Sequence, residues 1–158
     1  MRQLAVLACV LLAVGCGGSD PPSSRLEGKW LARDATDATV GYGVNFLANG
    51  TYSKATAVVT AADQASNSGS VNLEEEDGTF SATQTLITFS PTQSTCPGPD
   101  PAYSLAYEFI GPNLTLVGTA GASTFAPNTA TTTATLAVRF GCYDSAGNFT
   151  VSPFAAVN

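Results

Sequence analysis

Apolar and polar residues alternate with a period of two along several stretches of the chain. Tyr103, Leu105, Tyr107 and Phe109 alternate with Ser104, Ala106 and Glu108, while Leu136, Val138, Phe140 and Cys142 alternate with Ala137, Arg139 and Gly141. Tyr42, Val44 and Phe46 repeat the pattern. Successive side chains of a strand point to opposite faces, so each stretch predicts a strand with one buried side. Asn49-Gly50 supplies a hairpin turn into Thr51–Thr60, and Asp77-Gly78 a second one, joining Val71–Glu76 to Thr79–Ser90. Gly111-Pro112-Asn113 separates Tyr103–Phe109 from Leu114–Thr119, and Asp144–Asn148 joins Thr132–Tyr143 to Phe149–Phe154. With Lys29–Asp34 at the start, about nine strands follow one another. The longer connections are Ala61–Ser70, Pro91–Pro101 and Ala120–Thr131. Helical periodicity is weak throughout. Consecutive hairpins without a crossover predict an all-β fold, an antiparallel up-and-down barrel of about 8–10 strands, because closure removes unpaired edges.

The first residues follow a different rule. Met1-Arg2-Gln3 leads into an apolar run from Leu4 to Val14, then Gly15-Cys16-Gly17-Gly18. One basic residue ahead of a short apolar run has the form of a signal peptide, and the run is too short to cross a bilayer as a helix. Leu12-Ala13-Val14-Gly15-Cys16 resembles the lipobox of bacterial lipoproteins. That resemblance implies a signal peptide over residues 1–15, cleavage before Cys16 and acyl chains on Cys16. The plainer alternative is a signal peptide with an incidental Cys. Two or three acyl chains hold a protein firmly to a membrane where one does not. Gly17 stands where an inner-membrane retention Asp would be, which points to a lipid-anchored address at the outer membrane. Residues 16–25 have almost nothing apolar to bury and are expected to form a flexible tether to a single domain over 26–158. Cleavage removes Arg2, leaving 143 residues and moving the net charge from −6 to −7.

Cysteine use fits export. With Cys9 in the signal and Cys16 lipidated, Cys96 and Cys142 remain as one pair in an oxidising compartment, which predicts a disulfide. A metal site is the rival reading, but two Cys without His fall short of a tetrahedral zinc set.

A second resemblance covers the domain. Gly28-Lys29-Trp30 resembles the Gly-X-Trp motif opening the lipocalins and their calycin relatives. Phe46–Tyr52, with Asn49-Gly50 inside it, and Asp77–Phe80 are similar to the strand-turn signatures of bacterial lipocalin-like domains. Membership would imply a barrel that binds a small apolar or amphipathic molecule. It would also imply an Arg from a late strand over the Trp. Arg139 is the candidate, and its parity opposes that of Val138 and Phe140.

Composition narrows the function. The chain is 44% hydrophobic and 11% charged, too apolar for a disordered acidic tail, and its acidity disfavours nucleic acid as a partner. With no histidine there is no Ser-His-Asp or Cys-His machinery, and no Gly-x-Ser-x-Gly or phosphate-cradling glycine loop occurs. The expectation is a non-enzyme with no cofactor and no metal. Glu74-Glu75-Glu76-Asp77 reads as a solvated strand end rather than a cation site, and Asp144–Asn148 as a turn rather than a calcium loop. Trp30 reads as a plug for one end of the barrel, ahead of a ligand-stacking role. Tyr42, Phe46, Tyr103, Tyr107 and Phe140 are the candidate ligand-lining residues, with a fully packed interior as the equal alternative. The leading expectation is thus a membrane-anchored binder of a small molecule. The other is an envelope protein that contacts protein or glycan through its Ser/Thr/Asn-rich loops. Oligomeric state is left open.

Overall fold

The computed structural model describes residues 22–63, 68–98, 100–119, 121–129 and 135–152. The expected signal peptide, Cys16 and the first part of the tether lie outside the described residues, as do 132–134 and 153–154 of the last two expected strands.

Ten strands form one sheet: β1 (Gly28–Arg33), β2 (Val40–Phe46), β3 (Thr51–Asp63), β4 (Ser68–Ala82), β5 (Leu86–Ser94), β6 (Tyr103–Ile110), β7 (Asn113–Gly118), β8 (Gly121–Pro127), β9 (Thr135–Tyr143) and β10 (Phe149–Val151). Strands β1 to β8 pair in sequence order, each antiparallel to the next, and β8 returns to β1, so eight strands close in a ring. The closing seam is short. It holds the register pairs Trp30↔Pro127 and Leu31↔Ala126, extended by a hydrogen bond from the Asn128 amide to the Lys29 carbonyl.

The turns explain the order. Asn49 Oδ1 accepts from both the amide and the hydroxyl of Thr51, and Gly50 takes the positive φ that the β2–β3 reversal needs. This fixes Phe46 opposite Tyr52 and sends every second residue of both strands inward. Near the end of the ring that carries turns 47–50, 83–85 and 111–112, most of the inward residues are large and apolar. Phe46, Phe80, Phe89 and Tyr52 meet ring to ring at 4.8–6.0 Å between centroids. Trp30 lies beside Phe109, donates Nε1–H to the Leu26 carbonyl at 2.7 Å, and is joined in the same core by Ile87, Tyr107, Leu114 and Phe125. Each such side chain contributes roughly 1.5–3 kcal/mol by burial. This end of the ring is closed. Arg25, grouped by sequence with the tether, lies with its guanidinium 4.5 Å from the Phe109 ring centroid.

Four expectations are corrected. Asp77-Gly78 is not a turn but the middle of β4, and the reversal falls at residues 83–85. Gly78 is needed for space: a Cβ there would lie 2.3 Å from the Ser90 carbonyl oxygen and 2.9 Å from the Tyr52 ring, at a register shift between β4 and β5. Gly121–Pro127 is a strand where a loop was expected, because its inward positions are Gly121, Ser123 and Phe125 and so show little apolar alternation. Strand β9 breaks the antiparallel meander by pairing parallel with β4, Ser68–Leu73 against Thr135–Phe140. Its apolar alternation marks no buried face, since Leu136 is 51% and Val138 44% exposed. Arg139, also on β9, lies over the Phe149 ring rather than over Trp30.

One edge of β4 therefore serves two partners, β9 up to Leu73 and β5 from Glu76. At the handover, the Thr95 amide donates to the Glu75 carbonyl, its Oγ1 accepts from the Glu75 amide, and the same hydroxyl donates to the Gly141 carbonyl at 2.8 Å. The Glu74 carboxylate accepts the Tyr143 amide. Beside these groups Cys96 and Cys142 are joined, with Cα atoms 4.9 Å apart across 46 residues of sequence. Closing such a loop stabilises by roughly 4 kcal/mol in the chain-entropy model. The Cys96→Ala/Cys142→Ala variant should melt several degrees lower. Hydrogen exchange should show β9, β10 and the loop after β5 losing protection, while β1–β3 and β6–β8 keep theirs. Equal loss around the whole ring would contradict the local role given to the bridge.

Candidate functional site

The other end of the ring differs. Register places Ala32, Tyr42, Lys54, Thr56, Glu76, Tyr103 and Leu105 on the same inner face as the packed core, one or two steps nearer the loops 34–39 and 95–102. Glu76 is buried, and the others remain partly exposed despite facing inward. Small and polar inward residues leave solvent access above an aromatic base. This half-exposed inner end, called the cup below, lies over the enclosed Phe89, on which the Tyr103 ring is stacked at 5.1 Å between centroids.

A hydrogen-bonded cluster holds the wall of the cup. Glu76 Oε1 accepts from Tyr52 OH at 2.6 Å and from Tyr103 OH at 2.9 Å, and pairs with Lys54 Nζ at 3.1 Å. Lys54 Nζ also donates to Tyr103 OH at 2.6 Å, and its side chain keeps 40% of its surface exposed. The strands set this up directly, since Lys54 and Glu76 are register partners across β3 and β4. Burial alone would raise the Glu76 carboxyl, but the two phenols and the ammonium outweigh it, and its pKa lies below the usual value. Tyr52 and Tyr103 are pushed well up, first by burial and then by donating to Glu76. Both phenols therefore stay protonated donors at physiological pH. At the rim, Tyr42 OH donates to Asp34 Oδ2 at 2.9 Å. Hydrogen bonds from the Thr36 hydroxyl and amide, then from Tyr42, hold Asp34 well below the carboxylate range.

The five expected ligand-lining residues divide three ways. Tyr42 and Tyr103 line the cup. Phe46 and Tyr107 belong to the floor, Phe46 fully enclosed and Tyr107 donating its hydroxyl to the Thr83 carbonyl at 2.7 Å. Phe140 lies on β9, in register with Leu73 and outside the ring. Gly28 opens β1 and Trp30 sits in the floor. Lys54, Tyr52 and Glu76 were not among the expected site residues. Lys54 was legible in principle, because the Asn49-Gly50 turn puts it opposite inward-facing Val44. Glu76 was hidden by the misplaced turn at Asp77-Gly78, which made the acidic run look like a solvated strand end.

Glu74 carboxylate oxygen and the Cys96 and Cys142 sulfurs also lie together, within 4.8 Å of one another. The two sulfurs are bonded to each other and are not available as thiolate ligands.

The chain matches no known protein-family model and no curated protein.

Because the folded-state pKa of Glu76 is depressed, its contribution is complete above its unfolded value near 4.5 and is lost as pH falls through the folded value. Glu76→Gln should cost about 1–3 kcal/mol at pH 7. The gap from the parent should narrow as the pH falls below 4.5 and on through the depressed folded-state value, where the parent's own carboxylate protonates. Denaturant melts at pH 7 and pH 3 check this; a gap independent of pH would show that Glu76 is not held as an anion.

Proposed function

We propose that the protein is a non-catalytic, membrane-anchored binder of a small amphipathic molecule, built on a lipocalin-like closed barrel. The observation that carries this is the half-exposed inner face at the open end, set above a packed aromatic floor. This end offers the partly exposed rings of Tyr42 and Tyr103 and one ammonium, Lys54, in fixed positions. A ligand would rest its apolar part against the Tyr103 ring and meet Lys54 with its polar end.

Fluorescence titration with fatty-acid and retinoid-like probes tests the reading. Saturable binding is expected, and Lys54→Met should weaken an anionic probe roughly tenfold or more, the scale of one charge-assisted hydrogen bond. Absence of saturable binding across the panel would end the proposal.

Anchoring belongs to the same reading, through acyl chains on Cys16 at the outer membrane. Cys16→Ser should release a folded domain from washed membranes, with an unchanged melting temperature. A Cys16→Ser protein that still pellets with the membranes would contradict the anchor.

A second reading, an envelope protein that contacts another protein, is favoured by one feature outside the ring. Val59, Val71 and Val138 are cross-strand neighbours on one face of β3, β4 and β9, and Val59 and Val138 are largely exposed there together with Leu136. Recovery of a specific partner from solubilised envelope, lost on Val138→Glu, would favour it over the cup.

A further inference from the structure

We infer that the closed end of the ring rests on the bilayer that holds Cys16, with the cup facing away from the membrane. This rests on the reading of Cys16 as the lipid-bearing residue, and goes beyond it by fixing which face meets the lipid.

The chain itself limits the geometry. Pro22, the first described residue, follows Cys16 by six residue steps, which span at most about 20 Å however they are arranged. It leads within a few residues to Leu26, enclosed in the floor, and to Gly28 at the closed-end start of β1. The anchor is therefore attached at the closed end.

The surface there suits a lipid headgroup layer. The three turns at that end read Leu47-Ala48-Asn49-Gly50, Thr83-Gln84-Thr85 and Gly111-Pro112, with no charged side chain among them. Their flanks present large aliphatic residues to solvent: Ile110 is 57% exposed, Leu47 46% and Leu86 41%. Around them Arg25 and Lys29 offset Glu27 and Glu108. Leu47 and Ala48 also border a recess of about 310 Å³ that Ser23 and Glu27 line on its other side, so these turns adjoin the segment leading to the anchor. The opposite end carries Asp34, Asp37 and Asp100 in its loops, with Arg33 nearby and Lys54 set inside the ring against Glu76. An anionic bilayer surface repels that end and accepts the uncharged one, into which exposed aliphatic side chains can dip. A cup facing away from the bilayer takes its ligand from the aqueous side rather than from the lipid.

The experiment uses the lipidated full-length product in vesicles containing anionic phospholipid, spin-labelled in turn at Leu47→Cys, Ile110→Cys and Ala35→Cys. Labels at 47 and 110 should be more accessible to dissolved oxygen, which concentrates in lipid, than to an aqueous nickel chelate. The label at 35 should show the reverse. If the protein floats with the vesicles but all three labels are equally open to the chelate, the orientation is wrong while the anchor stands. If the lipidated product stays in the aqueous fraction on flotation, the anchor reading fails and the orientation falls with it.

Discussion

The structure depends on how one edge of β4 is divided. An edge of a strand has a single row of amides and carbonyls, and each can pair with only one neighbour at a time. Strand β4 needs that row for β5, to close the ring, and for β9, to hold the C-terminal part of the chain. The two demands meet at Glu75, whose amide and carbonyl would otherwise be left unmatched. Thr95 resolves the conflict with one amide and one hydroxyl, satisfying Glu75 on both sides and reaching across to Gly141. The disulfide to the next residue, Cys96, makes the arrangement hard to undo. Counting cysteines pairs Cys96 with Cys142; in the fold that bridge pins the place where β5 and β9 share one edge of β4.

From this division follows the character of the interior. Because β5 joins β4 only from Glu76 onward, the ring is complete around the floor, where Phe46, Phe80 and Phe89 pack against one another. From Leu73 back towards Ser68 the β4 edge belongs to β9, and the inner positions of β3 at the change of partner are Lys54, opposite Glu76, and Thr56. A carboxylate at the boundary is costly to bury without partners. Glu76 tolerates its place because two phenols and one ammonium converge on a single oxygen. The polar wall of the cup and the packed floor are thus two consequences of the same change of strand partner.

Much of this was legible where a residue's local pattern and its tertiary role agree. The aromatic alternation of Tyr103–Phe109 and the Asn49-Gly50 turn give their strands correctly, and the disulfide follows from counting once Cys9 and Cys16 are set aside. The reading fails where a residue serves a distant neighbour. Gly78 resembles a turn glycine, yet its lack of a Cβ makes room for the Ser90 carbonyl and the Tyr52 ring. Strand β8 keeps only Phe125 as a large inward residue, because the ring's open end asks for small ones at Ser123 and Gly121. In β9 the alternation is real but inverted in meaning. Its apolar side faces outward, and its other side carries Gly141 and Tyr143, with Asn72 donating to the Tyr143 hydroxyl. No local signal distinguishes a strand that closes a ring from one that lies beside it.

The site was less legible than the fold for the same reason. Aromatic residues are the visible signal, and they were divided by depth rather than by type: Tyr107 and Tyr103 sit four residues apart on one strand and face the same way. Tyr107 meets the closed end and donates to a backbone carbonyl there, so its hydroxyl serves the fold. Tyr103 meets the open end, where its hydroxyl both accepts from Lys54 and donates to Glu76. Only position along the ring axis separates a structural tyrosine from one that can meet a ligand. That position is set by turn register, which Asn49-Gly50 discloses for β2 and β3 and which Asp77-Gly78 conceals for β4. Lys54 and the buried Glu76 cancel locally, so a ligand of the kind proposed would meet directed donors at this wall more than net charge. A chain of acidic overall charge can therefore still receive an anionic headgroup, provided the ammonium of Lys54 keeps a proton pointing into the cup while its other bonds hold it to Tyr103 and Glu76.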